Sequence, residues 1–163
     1  MSADFRIVPA TEADVPLILR LIKALADYER LGHEVVSTEA GLRENLFGPR
    51  PFGEVVIGYV GAEPVGFALF FHTFSTFRGA PGVWLEDLFV EPQWRGRGFG
   101  RRLFLHVAAV SVARGCHRME WSVLDWNTPS IEFYRRAGAT AMDDWSLFRL
   151  TGAALRTAAE RAG

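Results

Sequence analysis

The chain of 163 residues holds one cysteine, Cys116, so no disulfide can close within it and no second thiol is present to build a zinc knuckle. Its four histidines, His33, His72, His106 and His117, have no metal-ligand spacing. Neither sign of charge is in excess: 18 Lys and Arg stand against 19 Asp and Glu, a formal net charge of -1. That balance excludes a global field toward nucleic acid or an anionic membrane, so any anion site has to be local. No stretch approaches the roughly 18 consecutive apolar residues of a membrane span. The opening Met1-Ser2-Ala3-Asp4 lacks the basic and apolar regions of a signal peptide. These absences lead to the expectation of a soluble, cytoplasmic protein with no metal, no nucleic-acid partner and no membrane partner.

What is present is a composition able to form a packed core, with 49% hydrophobic, 23% charged and 13% aromatic residues. The length suits one hydrophobic core better than two, and there are no repeats, low-complexity tracts or linkers. The expectation is a single domain over residues 1–163.

Phe5 to Pro9 reads as a strand, followed by Thr11 and Asp14 in the spacing of a capping box. Ile18, Leu21, Ile22 and Leu25 then recur at helical spacing, with Arg20, Lys23 and Asp27 outward, and Gly32 breaks the helix after Tyr28 and Glu29. A second helix spans about Thr38 to Phe47. Glu54 to Tyr59 and Val65 to His72 make an antiparallel pair around Gly61-Ala62-Glu63-Pro64, Thr73 to Gly82 is a turn-prone segment, and Val83 to Val90 is a strand stopped by Glu91-Pro92. Leu103, Phe104, Val107, Ala108 and Ser111 mark a helix closing at Arg114-Gly115. Met119 to Leu124 is a strand, Asn127 to about Gly138 a helix with Pro129 in its first turn, and Trp145 to Leu150 a last strand before an Ala-rich tail from Gly152 to Gly163.

Between the strand Val83 to Val90 and the next helix lies Arg95-Gly96-Arg97-Gly98-Phe99-Gly100. Glycines at alternate positions let the backbone curl until several amide hydrogens point at one spot, a nest for an oxyanion. The helix that begins there adds the positive end of its dipole, and Arg95, Arg97, Arg101 and Arg102 add charge suited to a pyrophosphate or 3′-phosphate. A dinucleotide fingerprint needs a third glycine where Arg101 stands, a P-loop needs Gly-Lys-Ser or Gly-Lys-Thr, and an RNA-binding Arg-Gly element needs more copies and a basic chain.

Glu86 and Asp87 interrupt the apolar run Val83-Trp84-Leu85-Glu86-Asp87-Leu88-Phe89-Val90, and each must find water or a partner. A solvated edge strand is one reading. A site for a cationic amine is the other, in which Glu86, buried beside apolar surface, has a raised pKa and accepts a proton directly or through water. Cys116 has His117 beside it, but neighbours on an extended segment point apart, which argues against a nucleophile and base pair.

The pattern Arg95-x-x-Gly98-x-Gly100 after a strand resembles the acetyl-CoA loop of the Gcn5-related N-acetyltransferases (GNAT). Leu21-Ile22-Lys23-Ala24-Leu25 with Tyr28-Glu29, Leu85-Glu86-Asp87-Leu88-Phe89-Val90, and Asp125-Trp126-Asn127-Thr128-Pro129-Ser130-Ile131-Glu132-Phe133-Tyr134 resemble the diamine and thialysine acetyltransferase branch. The resemblance runs from about Phe5 to about Leu150. It implies an α/β (α+β) GNAT fold: a mixed, mostly antiparallel sheet of six to seven strands flanked by helices, with splayed central strands holding acetyl-CoA. It also implies a homodimer.

Carried residue by residue, the resemblance gives backbone groups of Leu88, Phe89 and Val90 to the pantetheine arm, and Arg95 with Gly96, Arg97, Gly98, Phe99, Gly100 and Arg101 to the pyrophosphate. Asn127, Thr128, Pro129 and Ser130 border the cofactor. Tyr134 matches the general acid that protonates the departing thiolate, and Tyr28, Glu29, Glu86 and Asp87 match the substrate-amine site. Ser75 stands where polyamine-specific members carry an acidic residue, which favours a lysine-like, thialysine-type amino acid or diamine over spermidine and spermine.

An alkylamine with a pKa near about 10.4 is nucleophilic in only about one molecule per thousand at neutral pH, so a base is required. Glu86 is the expected base, with Glu29 and Asp87 holding the cation and amides near Leu88, at a bulge splaying this strand from Met119 to Leu124, stabilising the oxyanion. A reading from another class is a sensor that binds acetyl-CoA without turnover.

Overall fold

Secondary structure begins and ends where the local chemistry directs in the computed structural model, which describes residues 4–162. Met1 to Ala3 and the last residue of the expected tail, Gly163, lie outside the described residues. Within the chain two compact units separate, Met1–Leu124 and Asp125–Gly163.

In the first unit, strand β1 (Phe5–Pro9) leads to Thr11, whose backbone N–H donates to Asp14 Oδ2 at 2.7 Å, one half of the expected capping box. A short 3-10 turn then feeds helix α1 (Val15–Tyr28), which has Pro16 in its first turn and buries Val15, Ile18, Leu21, Leu25 and Ala26. Helix α2 (Glu39–Phe47) starts on Thr38, whose Oγ1 accepts from the Gly41 amide at 3.1 Å. Strands β2 (Glu54–Val60), β3 (Glu63–Ser75) and β4 (Ala80–Val90) follow, then helix α3 (Phe99–Ala113) and the short strand β5 (Met119–Glu120).

The strands form one sheet in the order β1-β2-β3-β4-β5, with antiparallel neighbours up to β4 and a parallel β4–β5 pair. Five strands are present among the described residues, against the six to seven expected. Trp145 to Leu150, expected as a strand, carries no strand pairing, and the ladder of Met119 to Leu124 is cut to its first two residues. Thr73 to Gly82 departs from expectation the other way. Its Ser, Thr, Gly and Pro read locally as a loop, but Ser75 pairs with Ala80 and Thr73 with Gly82, so the β3–β4 hairpin continues through both ends of the segment.

Alternation along the strands sorts the core into two faces. Val55, Ile57, Phe67 and Phe89 meet Ile18, Leu21 and Leu25 of α1. The other face carries α3, which buries Leu103, Phe104 and Val107 and reaches β1 through Phe99, stacked on Phe5 with centroids 4.4 Å apart and planes 6° from parallel. Large apolar side chains packed this way supply on the order of 1.5–3 kcal/mol each, offset largely by chain entropy.

The second unit contains helix α4 (Thr128–Arg136), opened by Asn127, and helix α5 (Gly152–Glu160). Asn127 caps α4 by accepting from the Ser130 amide at 3.4 Å, and Gly138 follows its end at φ 93, as expected for a left-handed stop.

Candidate active site

β4 positions the site, because its two edges end their pairing at different places. On the β5 side, the register contains only Val83 with Met119 and Trp84 with Glu120, after which β4 runs on from Leu85 to Val90 without that neighbour. On the β3 side, pairing continues to Val90, interrupted once: Leu69 pairs with Asp87 and Phe70 with Leu85. Glu86 is therefore the extra residue of a β-bulge. The expectation of a bulge at Leu88 splaying β4 from the following strand is corrected on both counts. The bulge lies at Glu86 and faces β3, and the parting from β5 begins separately after Trp84.

The ladder also fixes which backbone groups face the opening. The Glu91 amide donates to the Val65 carbonyl at 2.9 Å, so by antiparallel alternation Phe89 and Asp87 bond across to β3, while the amides and carbonyls of Leu88 and Val90 point away from it. Of the three residues expected to meet an extended ligand, Leu88 presents its amide and carbonyl to the open edge and Val90 its amide, the Val90 carbonyl accepting from Arg95, and Phe89 presents none. Its ring is spent in the core.

The bulge also redistributes the carboxylates. Glu86, expected to be buried, is exposed, and its Oε2 accepts the Trp84 Nε1–H at 2.7 Å. Asp87 is the half-buried member. Burial first, then the charges of Glu86 and Glu29, push its carboxyl up to about 7. Glu29, the C-cap of α1, has its carboxyl raised by burial and by Glu86. Three of the four residues expected at the amine site therefore form one electrostatically coupled group. The fourth, Tyr28, lies under the Arg95 guanidinium, 4.4 Å from the ring centroid.

The glycine loop has the expected conformation. Gly96 and Gly98 have φ of 74 and 79, values that L side chains rarely adopt, and a Cβ built on either meets nothing within 4 Å. Gly98 is the N-cap of α3 and has no side-chain cap, so the amides of Phe99, Gly100 and Arg101 in the first turn lack intrahelical acceptors. That uncapped terminus, open above its two left-handed glycines, fits a diphosphate.

The arginines divide in a way that sequence did not show. Arg95 donates from Nε to the Val90 carbonyl at 2.8 Å, and its guanidinium lies over Tyr28 and Phe89. Arg102 donates to the Phe5 carbonyl at 2.9 Å and covers the Phe5 ring. Both were expected to supply phosphate charge; each bonds a main-chain carbonyl and covers an aromatic face while the residue stays exposed. Arg97 lies over Trp94 at 4.8 Å, and all four arginines, Arg101 included, are exposed.

In the second unit, Asn127 is buried and Thr128, Pro129 and Ser130 form the first turn of α4. Tyr134 is half-buried on that helix, its ring edge-on to Phe133 with centroids 5.2 Å apart.

Two residues escaped the sequence reading. Glu91, read there only as a strand stop, is buried and receives Arg20 of α1 and Gln93 Nε2, the latter at 2.6 Å, so it staples the end of β4 to α1. Arg20, expected to face outward, supplies that bond. Trp84 appeared there only as part of an apolar run, although its place two residues before Glu86 puts both on one side of the strand.

Comparison with known proteins agrees with this geometry. Residues 20–139 match the model of the acetyltransferase (GNAT) family. A thialysine N-epsilon-acetyltransferase of Mus musculus is 36% identical, the alignment covering 98% of this chain and 99% of that protein. An L-ornithine N5-acetyltransferase of Arabidopsis thaliana is 34% identical over 93% of this chain and 86% of its own. An integron cassette protein from the mobile metagenome of V. cholerae has the same fold, with a TM-score of 0.81 over 98% of this chain and 99% of that one, at 22% identity. A strand parted from its neighbour, an uncapped glycine turn and a family match across both units converge: the chain belongs to the GNAT acetyltransferase family and is an N-acetyltransferase.

Proposed function

We propose that the chain transfers the acetyl group of acetyl-CoA directly to the terminal primary amine of a lysine-like amino acid or diamine. The observation that carries this reading is the coupled group Glu29, Glu86 and Asp87 at the bulge, beside the open edge of β4. Three carboxylates in one place suit an ammonium that must be held and then deprotonated. The names of the relatives, which act on thialysine and ornithine, support a small substrate with a terminal amine.

Acetyl-CoA supplies an activated acyl carbon. The Leu88 and Val90 main chain would hold its pantetheine arm, and Gly96 to Arg101 its diphosphate, with Arg97 and Arg101 adding charge. Asn127 to Ser130 are assigned to the same ligand by the matched motif. Glu29 and Glu86 hold the substrate cation. Its proton leaves through Glu86, directly or through water, and comes to rest on Asp87, whose affinity near neutrality suits a group that loads and unloads a proton each cycle. Amides at Leu88 stabilise negative charge developing on the acyl oxygen. Tyr134 protonates the departing sulfur. No step is routed through a metal.

Ser75 supports a lysine-like substrate over a polyamine. Its Oγ accepts from the Arg78 amide at 3.3 Å at the hairpin turn and offers no charge to a second ammonium. The reading includes one catalytic domain over both units, since the family match crosses their boundary, and a cytoplasmic homodimer. Among the described residues no helix is long and apolar enough to cross a membrane.

Thiol release from acetyl-CoA, measured with thialysine, L-lysine, L-ornithine, spermidine and a lysine peptide, tests the proposal. Amine-dependent release highest with the amino acids is expected. Saturable coenzyme A binding without release would make the protein a sensor, and a preference for spermidine would make it a polyamine enzyme.

A further inference from the structure

Trp84 occupies the fork of the sheet. It pairs with Phe71 on one side and with Glu120 on the other, the last position at which β4 touches β5. The residue is half-buried and lies between two paired neighbours, so its Cα has a defined place in the sheet.

Glu86 is the opposite kind of residue, exposed and without a cross-strand partner because the bulge leaves it over. A carboxylate on such a stem samples many rotamers, and fixing it at the moment of ligand binding lowers affinity. The Trp84 Nε1–H at 2.7 Å from Oε2 fixes it beforehand. An indole N–H donates only, so it neither takes the substrate's proton nor competes for the carboxylate as a cation would. One oxygen of Glu86 is thereby anchored and the other is left to the ligand.

We propose that Trp84 is the positioning residue of the amine site, holding Glu86 at the fork so that one carboxylate oxygen meets the substrate ammonium. This rests on the acetyltransferase reading. Lysine or arginine in its place would neutralise the site, and a serine or threonine hydroxyl would reach less far from the strand. The indole is a neutral donor long enough to span from residue i to the carboxylate of residue i+2.

The test uses Trp84→Phe, which keeps an aromatic ring and removes the N–H. Thialysine affinity of the coenzyme A complex is read by calorimetry, and acetylation kinetics by thiol release. We expect the thialysine Kd and KM to rise about tenfold, ~1.4 kcal/mol, with the coenzyme A Kd within about twofold. Adding Trp84→Phe to Glu86→Gln should then cost little more, since Trp84 acts only through the Glu86 carboxylate. Unchanged thialysine Kd and KM, or full additivity with Glu86→Gln, would overturn the assignment.

A second arm leaves Trp84 in place, in case its replacement disturbs the fork. Solvent exchange of the Trp84 indole proton, followed by NMR, should quicken in Glu86→Ala, and an unaltered exchange rate also overturns the proposal. Wild-type protein that releases no thiol with any amine would instead remove the acetyltransferase reading, while the thialysine Kd and indole exchange still decide the role of Trp84.

Discussion

The Nε of Arg95 donates to the Val90 carbonyl at 2.8 Å while the same guanidinium covers the ring of Tyr28, so one side chain ties the end of β4 to the end of α1. The loop that follows β4 starts from this clamp. Its guanidinium thus positions the loop, on which Arg97 and Arg101 are exposed as well.

Arg95→Ala should therefore weaken coenzyme A binding about tenfold by loosening the loop, and Arg95→Lys should fail to restore it, because an ammonium lacks the planar fork and the ring stack. Calorimetric titration with coenzyme A checks both. Arg97→Ala and Arg101→Ala should also weaken binding, but with a shallower dependence of Kd on salt than the wild type, since they remove phosphate charge itself.

Gly98→Ala places a side chain at φ 79, which costs about 1–2 kcal/mol for an L residue. Space is not the obstacle, since a Cβ there meets nothing within 4 Å. The expected outcome is a folded protein with a lower melting temperature and a coenzyme A Kd raised about tenfold or more.

Asp87 sets the pH dependence. Burial and the neighbouring Glu86 and Glu29 lift its carboxyl from 3.8 to about 7. Between those values the folded state keeps the proton that the unfolded chain releases, so this group makes stability fall as pH rises across the interval and leaves it at its lower value above. Asp87→Asn should consequently raise the melting temperature at pH 8, by about 2–4 °C for each kcal/mol relieved in a chain of this size, and change it little near pH 4. In kcat/KM the wild type should gain activity as pH rises through about 7, when Asp87 becomes free to accept a proton, and Asp87→Asn should lose that limb together with about a hundredfold in rate.

Tyr134→Phe should lower kcat about 10²- to 10⁴-fold, the range of a general acid, with the acetyl-CoA Kd within about twofold. Single-turnover thiol release against calorimetric affinity separates the two effects. Unchanged turnover would take Tyr134 out of the mechanism.

Local chemistry settled much of this protein before any contact between distant residues was known. The capping pair Thr11 and Asp14, the stripe Ile18, Leu21 and Leu25, and the glycines flanking Arg97 each act within a few residues of themselves, and each is where the sequence places it. Glu86 and Asp87 were legible as misplaced charge in an apolar strand for the same reason. Which of the two is buried was not legible, because a bulge is a mismatch between two strands and exists only once β3 is laid against β4. The bonds of Arg95 and Arg102 likewise depend on carbonyls and rings that the fold brings to them. Trp145 to Leu150 shows the converse: its composition favours an extended chain, but a strand is defined by its neighbour, and no neighbour pairs with it among the described residues. Sequence determined which groups bend, cap and carry charge; the register of the sheet decided which of those charges lies in a low-dielectric setting and which meets water.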